Sequence, residues 1–202
     1  MSARMRTLLA AAGGLLVLAG PAYAVTPTPD CHGVAISDPA SDQFFVVSTP
    51  PAIPMVRPNG VIDIQSVFLN GSSGSETLNI QVGDVNSQLN TVYTFRWDDP
   101  DNFGWYYELR ADFLGTNPSS GTGFYSIEHG NSSTFSITAS SGRTFAGVGG
   151  VIQFDKPSSV TWPTTFTTLS ARAEQYEGSG VAAEVPALRV DTASATSWTQ
   201  PC

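Results

Sequence analysis

The sequence has 202 residues, of which 41% are hydrophobic, so the chain is long and apolar enough to bury a core. Only 13% of the residues are charged, about half the usual share, which favours short strands joined by turns over long surface helices. The formal net charge of −8 disfavours nucleic-acid binding, because an acidic surface repels phosphate.

The first 24 residues have the pattern of a cleaved export signal. Arg4 and Arg6 give a basic start, an apolar stretch follows over residues 8–19, and residues 22–24 (Ala-Tyr-Ala) suit signal peptidase. An uncleaved anchor is the alternative, but this stretch is shorter than the roughly 20 residues of a spanning helix. We therefore predict a secreted domain over residues 25–202, with no membrane insertion after signal removal. Seven Lys or Arg against 17 Asp or Glu would give it a formal charge of −10.

The two cysteines lie at opposite ends of this exported part. Cys31 is near its start and Cys202 is the last residue. In an oxidising compartment this placement predicts a disulfide between the chain ends, and two unrelated thiols are the alternative. A bridge would require both termini to lie close together in the fold.

Alternating apolar and polar residues predict two hairpins. Residues 60–69 and 77–85 form the first, around a turn rich in Gly and Ser at 70–74. Residues 91–97 and 105–113 form the second, around an acidic turn at 98–102, and this hairpin is rich in aromatic residues.

Further strands are predicted in the second half of the chain, broken by short turn sequences. They lie at residues 123–128, 134–139, 144–154 and 166–176. The last could be a helical turn because of its Ala and Glu content, but flanking Thr and Gly favour a strand. This spacing of strands is typical of an all-β, single-domain sandwich.

Several short segments resemble a known group of domains. They are DPASD at 38–42, VIDIQSV at 61–67, LNIQVGD at 78–84, VDTA at 190–193 and the terminal Pro-Cys. They are similar to exported β-sandwich domains of the actinobacterial type, and to DOMON-like and family 9 carbohydrate-binding-module domains. The resemblance implies an antiparallel jelly-roll-like sandwich with a non-catalytic role, and a sugar or another small ligand as the bound molecule.

Calcium is the metal that the acidic residues of these segments would suit. Asp38, Asp42, Asp63 and Asp84 recur in the resembling pattern, and clustered carboxylates supply the hard oxygen ligands that Ca²⁺ prefers. Ordinary turn chemistry is the alternative, since Asp at strand ends hydrogen-bonds the backbone. Zinc is disfavoured, because two histidines and two paired cysteines do not make a zinc site.

Catalytic patterns are weak in this sequence. Glu108, Asp112 and Glu128 could place two carboxylates on adjacent strands, as a glycosidase requires, but exposed strand acids that pair with Arg96 or Arg110 are the favoured explanation. The Gly-x-Ser-x-Gly nucleophile motif is absent from the sequence.

Aromatic residues of the second hairpin give the hypothesis for ligand binding. Trp97, Trp105, Tyr106 and Tyr107 have flat faces on which sugar rings stack. Tyr106 points opposite to Trp105 and Tyr107, so one set faces the core, and core packing of all four is the alternative.

Three hypotheses for function follow. The first is a non-catalytic secreted sandwich that binds carbohydrate or another cell-surface component, with calcium as a possible cofactor. The second is a structural or interaction protein of the cell envelope without a small-molecule site. The third is a glycan hydrolase.

Overall fold

The computed structural model describes residues 25–39, 42–45, 53–54, 60–71, 74–86, 90–121, 123–176 and 189–202. The predicted export signal, residues 1–24, lies outside these ranges. Within them the chain forms β-strands and one short 3-10 helix, Pro118–Ser120. No helix there is long and apolar enough to cross a membrane.

The strands follow one another from the first described residues to the end of the chain. In chain order they are β1 (Val34–Ser37), β2 (Phe44–Phe45), β3 (Ile53–Pro54), β4 (Ile64–Asn70), β5 (Thr77–Val82), β6 (Asp84–Val85), β7 (Thr91–Asp98), β8 (Tyr106–Phe113), β9 (Phe124–Gly130), β10 (Phe135–Ala139), β11 (Gly142–Phe145), β12 (Gly147–Val148), β13 (Val151–Asp155), β14 (Thr165–Gln175) and β15 (Arg189–Thr199).

These strands pair into two large antiparallel sheets and a small one. The five-stranded sheet has the order β1-β4-β5-β13-β11, and the eight-stranded sheet has the order β10-β9-β8-β7-β14-β15-β2-β3. Strands β12 and β6 form a separate pair. The predicted hairpins correspond to β4–β5 and β7–β8. The strand predicted over residues 166–176 corresponds to β14, which covers Thr165–Gln175.

The hydrophobic core lies between the two large sheets. Ile64 and Val67 of the five-stranded sheet belong to the same buried cluster as Tyr93 and Phe95 of the eight-stranded sheet. Alternation along each strand explains this, because every second side chain points to the same face. The predicted all-β, antiparallel sandwich is confirmed.

The chain ends meet, as predicted. Cys31 and Cys202 form a disulfide with their Cα atoms 6.0 Å apart, across a sequence separation of 171 residues. The bridge joins the segment before β1 to the end of β15. The first and last parts of the described chain are therefore covalently linked.

One predicted strand is wrong. Residues 144–154 divide among β11, β12 and β13 instead of forming one strand. Gly147 and Gly149 have φ angles of 106° and 64°, and glycine takes such positive values without steric strain. The chain therefore turns back here, and β11 pairs with β13.

Candidate functional site

An acidic cluster forms where the segment after β1 meets β15. It consists of Asp38, Asp42 and Asp191, and each places one carboxylate oxygen within 4.8 Å of the other two. Two members are fixed by the backbone. The Asp38 N–H donates to the Gln65 carbonyl at 3.1 Å, and Asp191 Oδ2 accepts the Ile64 N–H at 2.6 Å.

Burial and mutual repulsion change the acidity of this cluster. Burial, and then the charges of Asp42 and Asp63, raise the pKa of Asp38 to about 6. Burial and the charges of Asp42 and Asp38 also raise the pKa of Asp191, which is only 1% exposed. Both shifts mean that the folded protein disfavours the charged carboxylates unless a cation compensates them.

The acidic cluster could hold an oxygen-ligated cation. Asp38 Oδ2 is buried and accepts no hydrogen bond from the described residues. A buried oxygen without a partner is costly, and a cation would supply one. Calcium binds oxygens at about 2.3–2.6 Å, so two ligands on opposite sides of it lie about 5 Å apart. The spacing of 4.8 Å or less between the three carboxylates fits this requirement.

The composition of the cluster differs from the predicted calcium ligands. Asp38 and Asp42 are brought together, but the third member is Asp191, not Asp63 or Asp84. Asp63 lies close enough to raise the pKa of Asp38, and its Oδ1 accepts the Gln43 amide at 2.7 Å. Asp63 is therefore a neighbour of the cluster.

Asp84 lies outside the acidic cluster. Its N–H donates to the Gly60 carbonyl at 2.8 Å, and its Oδ2 accepts the Asn86 side chain at 3.2 Å. These are the turn contacts that the alternative interpretation expected. Asp191 lies in the VDTA segment of the resembling pattern and shares the inward face of β15 with Ala193, but the calcium prediction did not include it.

Trp97 does not present a face to a ligand, so its predicted stacking role is wrong. It is 0% exposed and belongs to the hydrophobic core. Its ring lies 5.2 Å from Tyr107 and 5.5 Å from Trp162, measured between centroids. Tyr93, Phe95 and Trp97 alternate along β7, and this alternation sends all three inward.

The other predicted aromatic residues are also largely covered. Tyr107 stacks on Trp97 on one side and on the His129 ring on the other, at 4.1 Å from the imidazole. Tyr106 points to the outer face of the eight-stranded sheet, where the Arg96 guanidinium lies 3.5 Å from its ring centroid. Trp105 is partly buried beside His129.

The exposed aromatic residue of this hairpin is Phe103, which sequence reasoning missed. Its side chain is fully exposed, at 106% of the reference area. Asp98 of the predicted acidic turn belongs to β7, so the acidic turn between β7 and β8 covers residues 99–105, and Phe103 lies in it. A cleft of about 610 Å³, the turn cleft, lies between this turn and β14. Its lining residues are Asp98, Asp99, Pro100, Phe103, Gly104, Thr165 and Thr167.

A second cleft continues from the turn cleft along the outer face of the eight-stranded sheet. This sheet cleft has a volume of about 570 Å³ and is shared among β7, β14 and β15. Asp98 lines both clefts. The other lining residues of the sheet cleft are mostly polar: Arg96, Thr168, Leu169, Ser170, Ser194, Ala195 and Thr196.

A local distortion of β14 lies where the two clefts meet. The pairing of β14 with β7 ends at Ser170 and Arg96, and Thr168 has a φ angle of 52°. A positive φ is unusual for a β-branched residue and marks local strain. Thr168 donates a hydrogen bond from its hydroxyl to Asp98 Oδ2 at 2.6 Å, which links the distorted strand to β7.

The acidic turn is held in place by Asp99. This buried carboxylate accepts the Asp101 N–H at 2.9 Å and the Asn102 amide at 2.8 Å, and it lies 2.7 Å from His129 Nε2. Burial alone would raise the pKa of Asp99, but the bonds from Asn102, His129 and Asp101 lower it below its usual value. Asp99 therefore stays charged and fixes the turn that carries Phe103.

The predicted glycosidase carboxylates do not line either cleft. Glu108 and Glu128 lie opposite each other on β8 and β9, and burial, followed by the Glu128 charge, raises the pKa of Glu108. Glu128 accepts a hydrogen bond from the Tyr106 hydroxyl, and Asp112 pairs with Arg110 at 2.9 Å. These carboxylates are engaged within the sheet face, in contacts that a structural role explains.

Comparisons with known proteins do not assign a family to this chain. No protein-family model matches it, and neither a curated protein nor a solved structure is significantly similar to it.

Proposed function

We propose that the protein is a secreted, non-catalytic β-sandwich that binds carbohydrate along the turn cleft and the sheet cleft. The observation that carries this proposal is Phe103, a fully exposed ring on a turn held by hydrogen bonds, above a cleft whose lining includes Asp98 and Thr165. Sugar rings stack their apolar faces on aromatic rings, while hydroxyls and carboxylates bind the sugar hydroxyl groups.

The clefts have a suitable size and chemistry for one or two sugar rings. Each has a volume within the range of about 300–1,000 Å³ that small-ligand sites occupy. Asp98 would accept hydrogen bonds from sugar hydroxyls, and the threonines and serines would both donate and accept. The Asp99 contacts hold the turn before ligand arrives, which reduces the entropy lost on binding.

Calcium is the cofactor that we propose for the acidic cluster. Asp38, Asp42 and Asp191 would hold the ion, with backbone carbonyls or water completing its coordination. Because these residues belong to the segment after β1 and to β15, the ion would tie the first part of the chain to the last strand. We propose a structural role for the ion, at a site separate from the residues that line the two clefts.

An interaction protein of the cell envelope is the second candidate, and a different surface favours it. Phe124, Phe135 and Ile137 are 57–59% exposed on β9 and the edge strand β10. Exposed apolar residues on an edge strand are typical of surfaces that bind another protein chain.

Glycan retention by the chain over residues 25–202 tests the carbohydrate candidate. We expect wild type to bind at least one glycan in a panel of insoluble and soluble polysaccharides. Phe103→Ala should weaken that binding about tenfold, or ~1.4 kcal/mol, without a change in melting temperature. Phe135→Ala is the matched control, because it removes an exposed phenylalanine outside both clefts. If no glycan is retained, the carbohydrate proposal fails. If Phe135→Ala alone impairs retention, the site is misplaced.

Secretion has an independent test, because the basic, apolar and Ala-Tyr-Ala pattern specifies a cleavage position. N-terminal sequencing of exported protein should give Val25 as the first residue. Recovery of an intact Met1 in the membrane fraction would contradict this.

A further inference from the structure

The turn cleft has an excess of negative charge around its aromatic ring. Asp98 lines the cleft and Asp101 is exposed in the turn two residues before Phe103. Neither carboxylate forms a salt bridge with the described part of the chain. By contrast, the buried carboxylate of Asp99 has His129 as its partner.

The cationic side chain among the residues that line the two clefts is already engaged. Arg96 lines the sheet cleft, but its guanidinium lies 3.5 Å from the Tyr106 ring centroid, and Glu108 lies opposite it on β8. Asp98 itself accepts a hydrogen bond from the uncharged hydroxyl of Thr168. Asp98, on the cleft wall, and Asp101, on the turn that carries Phe103, therefore have no cationic partner among the described side chains.

We propose that the carbohydrate ligand carries ammonium groups, as a glucosamine polymer does. This inference rests on the proposed carbohydrate function and names the class of sugar. Ammonium groups would pair with Asp98 and Asp101, and the ring of Phe103 would attract the same charge through its face. The hydroxyls of both clefts would bind the uncharged part of the sugar. An acidic glycan would be repelled by the same carboxylates.

The test compares three oligomers of equal length: glucosamine, N-acetylglucosamine and glucose. Affinities are measured by calorimetry with the chain over residues 25–202 in roughly 0.15 M salt, where distant charges are screened. We expect the glucosamine oligomer to bind at least tenfold more tightly than the two uncharged ones. The double variant Asp98→Asn, Asp101→Asn should lose most of that preference and keep the weaker binding of uncharged sugars.

A control is needed because the chain over residues 25–202 is acidic, with seven Lys or Arg against 17 Asp or Glu, and attracts any polycation. Asp155→Asn removes a carboxylate at the end of β13, in the other large sheet, and should leave the preference unchanged. Phe103→Ala should weaken binding of all three oligomers. An oligolysine with the same number of charges should bind less tightly than the glucosamine oligomer.

The outcomes separate this inference from the proposed function. Equal binding of all three oligomers would overturn the ammonium requirement and leave carbohydrate binding intact. Absence of binding to every oligomer and to the wider glycan panel would overturn the proposed function itself. Loss of the preference in Asp155→Asn, or tighter binding of oligolysine, would show unspecific attraction and overturn the inference.

Discussion

At the residue scale, burial in the acidic cluster opposes the charged form of its carboxyl groups. Asp191 is almost completely enclosed, yet its two oxygens accept the backbone N–H groups of Ile64 and Thr192. These bonds favour the charged form, whereas burial and the carboxylates of Asp38 and Asp42 oppose it more strongly. Protons at this place therefore stabilise the folded state, and a bound cation would act in the same direction.

This balance predicts an unusual dependence of stability on pH in the absence of calcium. Asp38 has a pKa of about 6 in the folded protein against an ordinary value of 3.8, so the folded state keeps a proton that the unfolded chain releases. The free energy of unfolding should consequently fall as pH rises from about 4 to about 6, and the raised pKa of Asp191 adds to the effect. Urea denaturation at a series of pH values in chelator measures it. A stability that rises steadily over this range would contradict the prediction.

Calcium should reverse that loss. At a free concentration of about 100 times its Kd, an ion that binds only the folded state adds about 2.7 kcal/mol, or roughly 5–10 °C in melting temperature for a domain of this size. The increase should be seen at pH 7.5 and should be small at pH 4.5, where protons occupy the carboxylates. Asp38→Asn should abolish the increase at pH 7.5. Asp84→Asn, outside the acidic cluster, should retain it.

At the element scale, the β7–β8 hairpin separates core from surface. Trp97, near the end of β7, stacks in the core, while Phe103, in the turn that follows, is fully exposed. The register places Trp97 opposite Tyr107 and Arg96 opposite Glu108, so one face of the hairpin is apolar and the other is charged. The turn projects from the sandwich, so the Phe103 ring lies outside the hydrophobic core.

Two alanine variants should separate these roles. Trp97→Ala should lower the free energy of unfolding by about 3–5 kcal/mol, because it empties a large buried volume. Phe103→Ala should change it by less than about 0.5 kcal/mol, since the ring has no buried area to lose. Chemical denaturation measures both. A stability loss above ~2 kcal/mol in Phe103→Ala would show that the ring is packed.

At the scale of the whole molecule, the disulfide joins the two ends of the sandwich. The loop it closes spans 171 residues, and it contains every strand that the structure describes. A constraint of this kind acts mainly on the unfolded chain, whose ends would otherwise be free to separate.

Removal of the bridge should destabilise the protein strongly. The chain-entropy model gives about 5 kcal/mol for a loop of this length, and less if the reduced chain keeps structure. The double variant Cys31→Ser, Cys202→Ser should show this loss in urea denaturation. Reductant should lower wild-type stability to the same level and should leave the double variant unchanged. A double variant as stable as oxidised wild type would mean that the bridge adds nothing to stability.

The sequence by itself determined the fold class, both hairpins and the linked chain ends. The alternation of apolar and polar residues and the turns rich in Gly, Ser and Asn are local signals. Residues within a few positions of one another carry them. The two cysteines were informative because their number left one possible pairing. One local signal was missed, since the glycines at 147 and 149 mark the turn that breaks a predicted strand.

The tertiary structure alone decided which residues form the candidate sites. Alternation divides the side chains of a strand between two faces. The packing of the second sheet determines which of these faces is buried, and Trp97 lies on the buried face. Asp191 joined Asp38 and Asp42 because β15 lies beside the segment after β1, although about 150 residues separate them in the sequence. Phe103 is exposed above β14 because the hydrogen bonds of Asp99 hold its turn in this position. Contacts of this range depend on how the sheets pack, and a single sequence contains no local signal for them.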